Sequence, residues 1–156
     1  MINPLHEDKL IKAHERIKPF IHRTPILSSS SINQMAGSEI MFKCENFQKI
    51  GAFKMRGAAN AISQLINSKS IKGITTHSSG NHAQAVALAS KNAGFNTKIV
   101  MPNNSPKVKI EAVKGYGAEI VFCEPTLVAR EEAVDRIIHA DGFTFIHPYD
   151  NWEVIY

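Results

Sequence analysis

Lys54 has unusual neighbours for a charged side chain. It follows Phe53 within the segment GAFKMRGA, residues 51–58, where most of the other residues are glycine, alanine or methionine. The segment predicts that Lys54 opens a helix, and both the positive end of a helix dipole and burial among apolar groups disfavour an ammonium ion. A neutral amine is the form of lysine that attacks aldehydes. The alternative is a surface lysine in a tight turn.

The segment HSSGNH, residues 77–82, is a second candidate site. It lies between a run typical of a strand and an alanine-rich run typical of a helix. The first turn of a helix has free backbone N–H groups that attract anions, and Gly80 allows the backbone to turn tightly against a ligand. An amine nucleophile near such a helix start suits a cofactor aldehyde whose substrate carries a carboxylate, and pyridoxal phosphate is such a cofactor.

Hydrophobic spacing and turn residues predict the elements that must position both segments. From residue 73 onward the sequence alternates between predicted strands and helices and contains four such strands. This order is typical of an α/β fold with a parallel sheet, helices on both faces and right-handed crossovers. Ser105 is placed to cap a helix whose first residue is Pro106. The predicted helices cover residues 8–21, 55–67, 81–94, 106–117 and 126–142, with a shorter one that Gly37 ends, and the predicted strands cover residues 39–47, 73–77, 97–101, 118–123 and 143–148.

Composition limits the class of protein. The 156 residues are 44% hydrophobic and 21% charged, which is a globular balance, and the net charge of +4 is modest. The one basic cluster has no interleaved aromatic residues, so a solvated helix face explains it better than nucleic-acid binding. No run is apolar and long enough for a signal peptide or a membrane span, so we expect a cytoplasmic protein without a membrane partner. The cluster consists of Lys98, Lys107, Lys109 and Lys114.

The sequence does not favour a metal, disulfide or dinucleotide site. Cys44 and Cys123 are far apart and form no CxxC pair, which argues against a zinc site or a disulfide and fits a reducing compartment. His77 and His82 have no third ligand at a suitable spacing, so we expect no metal. The segment GYG, residues 115–117, lacks the third glycine of a dinucleotide fingerprint and precedes a strand.

The order of the motifs resembles that of one known family. GAFKMRGA followed by SSGNHAQ is similar to the serine/threonine dehydratase and serine racemase family, whose members are pyridoxal-phosphate enzymes with the fold of tryptophan synthase β. RTPIL, KCENFQ, IVMP, KGYGAEIV and HPYDNWEVI also fall in the order of that family, so the resemblance covers nearly the whole chain. It implies an incomplete form of the fold, because the family's chains are much longer and this sequence has no glycine-rich phosphate loop.

The resemblance implies a role for each matching residue. Lys54 would form the Schiff base with pyridoxal phosphate and act as a base on one face of it, with Phe53 close to the ring. Ser79 would be the acid/base on the opposite face, and a helix-capping serine is the alternative. Asn81 would hydrogen-bond the ring hydroxyl. Backbone N–H groups would hold the substrate carboxylate in the turn formed by Ser78, Ser79, Gly80, Asn81 and His82.

The resemblance also predicts an activity and a division of the chain. The main prediction is a dehydratase that converts serine, threonine or another 3-hydroxy amino acid to a 2-oxo acid and ammonia, in a full-length homo-oligomer. The alternatives are a serine racemase, a 3-hydroxyaspartate dehydratase, or a truncated chain that folds in part and binds only its missing half. We expect the N-terminal half of an enzyme, inactive alone, with apolar side chains exposed on its first segment. Its parts would be residues 1–69 of a large cofactor-binding domain, a small α/β domain over residues 70–148, and residues 149–156, which return to the large domain.

Overall fold

The computed structural model describes residues 5–68 and 70–156. These residues form helices and strands in alternation, with three short 3-10 turns at Lys18–Phe20, Glu45–Phe47 and Lys49–Gly51. The helices are α1 (Glu7–Ile17), α2 (Ser30–Ala36), α3 (Lys54–Ser63), α4 (Asn81–Ala93), α5 (Lys107–Gly115), α6 (Leu127–Asp141) and α7 (Trp152–Ile155). The strands are β1 (Ile26–Leu27), β2 (Phe42–Lys43), β3 (Ile74–His77), β4 (Thr97–Pro102), β5 (Glu119–Cys123) and β6 (Thr144–Phe145).

The larger sheet has four strands in the order β5, β4, β3, β6, and each neighbouring pair is parallel. In this register Thr76 lies opposite Ile99, and Ile99 lies opposite Ile120. Successive side chains of a strand point to opposite faces. On β4, Ile99 and Met101 accordingly join the apolar cluster that contains α4, whereas Val100 joins the cluster that contains α6. The predicted parallel sheet with helices on both faces is confirmed.

The main apolar core joins the first segment of the chain to this sheet. α3 packs along α4, and many of the buried side chains of both helices are alanines, which allow two helices to approach closely. Ile17 of α1 and Met55 of α3 belong to the same cluster as Ile74 of β3 and Val86 of α4. The cluster therefore continues across residue 69, and the two predicted domains share a core here. The division itself stays a prediction.

The last residues of the chain pack on α3. Gly57 makes this contact possible, because a Cβ atom at residue 57 would lie only 2.2 Å from the carbonyl oxygen of Val154 in α7. The buried side chain of Asn60 donates from Nδ2 to the carbonyl oxygen of Glu153 at 2.8 Å. α7 is therefore held against the same helix that begins at Lys54.

Most helix ends follow the predicted signals. Gly37, Gly94 and Gly142 adopt the left-handed conformation directly after α2, α4 and α6. The predicted cap of α5 is wrong. Pro106 has an extended ψ of 132° and takes the N-cap position itself, while the hydroxyl of Ser105 is buried with no hydrogen-bond partner in the described part of the chain.

Several elements are shorter than the apolar pattern predicts. The strand predicted over residues 39–47 is limited to the two residues of β2, because the backbone turns at Glu45, whose carboxylate accepts hydrogen bonds from Arg56 and Thr24. α3 ends at Ser63 instead of residue 67. A polar network therefore takes precedence over strand propensity in this part of the chain.

Apolar side chains are exposed on the first segment, as predicted. Met35 is 80% exposed, Met41 66% and Ile26 61%, and they lie on or beside α2 and the antiparallel pair formed by β1 and β2. Within residues 5–68 and 70–156, no helix combines the length and the apolar character needed to cross a membrane.

Candidate active site

Lys54 is the first residue of α3, as predicted, and its amine is directed into the protein. Nζ donates a hydrogen bond to the carbonyl oxygen of Pro148 at 2.7 Å and lies 5.4 Å from the ring centre of Phe53. Lys54 and Phe53 line a cavity of about 320 Å³, together with Pro148, Tyr149 and residues of α7. The Phe53 ring is 59% exposed, so it is accessible to a molecule in this cavity.

The turn before α4 has free backbone donors. Gly80 is the N-cap residue of α4, and no side chain caps the helix, so the capping alternative for Ser79 is not observed. The backbone N–H of Ser78 donates to Val100 O at 3.0 Å, and the N–H of Gly80 donates to Ser78 Oγ at 3.1 Å. Within the described chain this leaves the N–H groups of Ser79, Asn81 and His82 without a partner. Of the five backbone N–H groups of residues 78–82 that were predicted to bind an anion, these three are therefore available. That they bind an anion stays a prediction.

The side chain of His82 is buried beneath this turn and is only 3% exposed. Its Nε2 lies 3.3 Å from the carbonyl oxygen of Ile146, which can only accept, so Nε2 carries the proton and Nδ1 is a bare acceptor. Among the residues that the structure describes, Nδ1 is buried without a hydrogen-bond partner. Burial lowers the pKa of His82 to about 4, against the hydrogen bond to Ile146, and the nearby charge of Lys54 lowers this pKa as well. His82 is therefore neutral at neutral pH.

Residues 146–148 connect the two candidate segments. The carbonyl oxygen of Ile146 accepts from His82 Nε2 and from Thr76 Oγ1, the latter at 2.7 Å, and the carbonyl oxygen of Pro148 accepts from Lys54 Nζ. These side-chain bonds occupy the backbone after β6, which is why the strand predicted over residues 143–148 is short. The fold thus brings Lys54 close to the start of α4. Sequence reasoning missed the two carbonyl groups, although HPYDNWEVI was part of the family resemblance.

Asn81 is held by a lysine that the sequence assigned to a solvated face. Lys109 Nζ donates to Asn81 Oδ1 at 2.8 Å, and Gln84 Nε2 lies 3.5 Å from the same oxygen. The interpretation of the basic cluster as a solvated helix face stays a prediction, since this bond lies at the surface, but Lys109 is half-buried and directed toward Asn81. The reason is that α5 packs beside α4 and turns the side chain toward the first residue of that helix.

A second charged group near Lys54 was also missed. Arg56 makes two hydrogen bonds to the carboxylate of Glu45, at 2.8 Å and 2.7 Å, and Thr24 Oγ1 donates to the same carboxylate at 2.6 Å. The bonds from Arg56 hold the pKa of Glu45 down at about 2. Arg56 lines the Lys54 cavity, so this pair fixes one wall of it. The opposite charges were visible in the sequence, but nothing there indicated that they meet.

The remaining histidines near the site form an aromatic group. His77 stacks on Phe145 with ring centres 5.6 Å apart, and His147 meets Phe145 edge-on at 5.5 Å. Burial and the charge of His147 lower the pKa of His77. Among the residues that the structure describes, no three His, Cys, Asp or Glu side chains are grouped so that they could hold a metal ion.

The sequence match, taken separately from this geometry, assigns the chain to a known class. The family model described as pyridoxal-phosphate dependent enzyme matches residues 17–156. The chain therefore belongs to the family of pyridoxal-phosphate-dependent enzymes, and the predicted family and cofactor are confirmed.

The relatives refine this class. The chain is 49% identical to a serine racemase of Dictyostelium discoideum over 92% of this chain and 44% of that protein. It is 45% identical to a beta-hydroxyaspartate dehydratase of Paracoccus denitrificans over 99% of this chain and 49% of that protein. The solved structure of maize serine racemase superposes with a TM-score of 0.91 at 47% identity, over 95% of this chain and 45% of that one. The chain thus spans about half the length of the curated relatives it matches.

Proposed function

We propose that the protein containing this chain is a pyridoxal-phosphate enzyme that removes the α-proton of serine or a related 3-hydroxy amino acid. The observation that carries the proposal is the position of Lys54 Nζ. It is bonded to Pro148 O, two residues from the carbonyl group that holds His82, and its charge acts on His82. An amine and three free backbone donors therefore lie on either side of one short segment.

The residues present fit the cofactor at its aldehyde and fit the substrate at its carboxylate. The amine of Lys54 has a cavity beside it and the accessible ring of Phe53 next to it. The free N–H groups of Ser79, Asn81 and His82 suit a carboxylate. When bound, pyridoxal phosphate supplies an aldehyde that bonds to amino groups and a ring that withdraws electrons from the substrate α-carbon.

In this proposal each residue of the chain has a simple task. Lys54 Nζ takes the α-proton on one side of the substrate, and Pro148 O orients the amine for it. Ser79 Oγ, which has no capping role, gives or takes a proton on the opposite side. His82 remains neutral and holds residues 146–148 in place, so that the amine keeps its position relative to the turn.

Two outcomes of proton removal have support. We favour racemisation of serine, because the serine racemase of Dictyostelium discoideum is 49% identical and because the hydroxyl of Ser79 is available as a second acid/base. Dehydration to a 2-oxo acid and ammonia, which the sequence predicted, is the second candidate. It is supported by 45% identity to a beta-hydroxyaspartate dehydratase over 99% of the chain. Both outcomes begin with the same proton transfer, so the choice between them depends on the fate of the β-hydroxyl group.

The predicted assembly and location belong to the same proposal. We propose a homo-oligomer for the full-length protein and a cytoplasmic location. The free thiols of Cys44 and Cys123 support a reducing compartment. The exposed apolar side chains around Met35 and Met41 support cover by further polypeptide.

The test uses pyridoxal phosphate, L-serine and 3-hydroxyaspartate. Cofactor binding is followed by absorbance, D-serine by chiral chromatography and 2-oxo acid with ammonia by coupled assay, in this chain and in the full-length protein. We expect binding that requires Lys54, so that Lys54→Ala abolishes it while the exposed control Lys91→Ala does not. Product from Lys54→Ala at the wild-type rate, or no cofactor binding by the full-length protein, would rule the proposal out. If the full-length protein is active and this chain alone is inactive, this chain is a non-catalytic part of the enzyme.

A further inference from the structure

Two donors converge on one oxygen at the first residue of α4. Asn81 Oδ1 accepts from Lys109 Nζ at 2.8 Å, and Gln84 Nε2 lies 3.5 Å from it. Gln84 is only 6% exposed, so its amide is fixed by the surrounding helix packing. The hydrogen bond from Lys109 joins α5 to α4, so it does not arise from contacts between neighbouring residues of one helix.

These contacts decide which end of the Asn81 amide is free. A lysine ammonium can only donate hydrogen bonds, so the atom facing Lys109 must be the carbonyl oxygen. Turning the amide by half a rotation would place its NH₂ group against the ammonium and lose both bonds. Within residues 5–68 and 70–156, Nδ2 of Asn81 has no hydrogen-bond partner. The side chain therefore presents two donor protons, and no acceptor, to a molecule bound beside it.

The charge of Lys109 acts in the same direction. The nearest acidic residue on its own helix, Glu111, is paired with Lys114 at 3.7 Å, and the described chain offers Lys109 no carboxylate partner. Its positive charge therefore adds to the positive end of the α4 dipole beside Asn81. Asn81 should therefore bind most strongly a group that accepts hydrogen bonds from its NH₂ group and also carries a negative charge.

We propose that Lys109 is a positioning residue that fixes the Asn81 amide with its NH₂ group toward the bound molecule, so that the site selects an anionic oxygen acceptor there. This rests on the proposed function in taking Asn81 as part of the site. Two groups share this chemistry: the ring oxygen of pyridoxal phosphate and the carboxylate of an amino acid. Lys109 itself touches neither of them and acts through Asn81.

The orientation of Asn81 is tested in the full-length protein without cofactor. Side-chain amide resonances are recorded by ¹H–¹⁵N NMR, with Asn81→Ala to assign the pair from Asn81. In Lys109→Met we expect the chemical shifts of this resonance pair to change. We also expect its two protons to exchange with water at more similar rates. Lys109→Arg should keep most of the wild-type pattern, because arginine also only donates. Lys107→Met, which changes an exposed lysine on the same helix, should leave the pair unchanged. An Asn81 pair that is the same in Lys109→Met and wild type would overturn the proposal.

The ligand is tested by titrating three probes into the same variants. The probes are pyridoxal phosphate, an analogue that lacks the ring hydroxyl, and L-serine. Loss of one oriented hydrogen bond to a charged acceptor is expected to weaken binding about tenfold or more in Lys109→Met. A loss confined to pyridoxal phosphate identifies the ring oxygen, and a loss confined to L-serine identifies the carboxylate. Equal affinities of Lys109→Met and Lys107→Met for all three probes would contradict the selection of an anionic acceptor. If pyridoxal phosphate binds equally to wild type and Lys54→Ala, the proposed function fails, while the NMR result still decides the orientation of Asn81.

Discussion

Replacing Gly57 with alanine tests whether the close contact between α3 and α7 shapes the site. The new Cβ would lie 2.2 Å from the carbonyl oxygen of Val154 and 3.0 Å from its Cγ1, whereas ordinary contacts begin at 3.4 Å. The obstacle at 2.2 Å is backbone, which no rotamer change can relieve. α7 must therefore move by about 1 Å or leave α3.

The size of the effect follows from two opposing contributions. Alanine is favoured over glycine in a helix by about 1 kcal/mol, and overpacking of this kind costs about 1–3 kcal/mol. Because the clash involves the backbone, we expect the clash to outweigh the propensity gain and lower the free energy of unfolding by up to about 2 kcal/mol. Urea denaturation followed by circular dichroism measures this loss. Limited proteolysis after residue 148 should also become faster, because α7 is displaced.

Two further variants separate this cause from a general effect of alanine. Gly115→Ala in α5 meets nothing within 4 Å, so it should stabilise the protein by about 0.5–1 kcal/mol. Adding Val154→Ala to Gly57→Ala should not restore stability, because the main obstacle is the backbone oxygen. If Gly57→Ala is as stable as wild type and α7 is cleaved no faster, the argument from close approach is refuted.

Three other predictions concern pH and local bonds. Burial lowers the pKa of His82 from its ordinary value of 6.5 to about 4, so the unfolded chain takes up this proton first and the free energy of unfolding should fall by about 3 kcal/mol as the pH drops from 6.5 to 4. Most of this slope should be lost in His82→Leu, with a smaller slope remaining from His77, whose pKa burial also lowers, and an unchanged slope would assign it elsewhere. Bonds from Arg56 keep the pKa of Glu45 at about 2 instead of 4.5, so the stability that Glu45 adds is complete above pH 4.5 and is lost as the pH falls toward 2. Glu45→Gln should cost about 1.5–3 kcal/mol at pH 7 in denaturation experiments and should remove that acid window, while an unchanged midpoint would count against the pair. Thr126→Ala removes the hydroxyl that caps α6 at Ala129 N, and thermal unfolding should show a loss of about 1 kcal/mol that Thr126→Ser largely avoids.

Local patterns were sufficient for most of the fold. Glycines at the ends of α2, α4 and α6, and four apolar runs separated by helices, predicted the parallel sheet because backbone conformation and amphipathic spacing are properties of neighbouring residues. The errors share one cause. Ser105 does not cap α5, and β2 is short, because Pro106 and the bonds of Glu45 to distant residues override the local signal.

The types and spacing of Lys54, Ser79 and Asn81 by themselves predicted an amine nucleophile and an anion-binding turn, and these two roles stay predictions. The family of pyridoxal-phosphate-dependent enzymes, which the order of the motifs indicated, is confirmed. Only the tertiary structure decided what holds them: the carbonyl groups of residues 146 and 148, and the ammonium of Lys109. The physical reason is that a backbone carbonyl has no side chain to read and that partners distant in the chain meet only when helices and strands have packed. A sequence states which groups can donate or accept, and the packed core determines which of them are within 3 Å of each other.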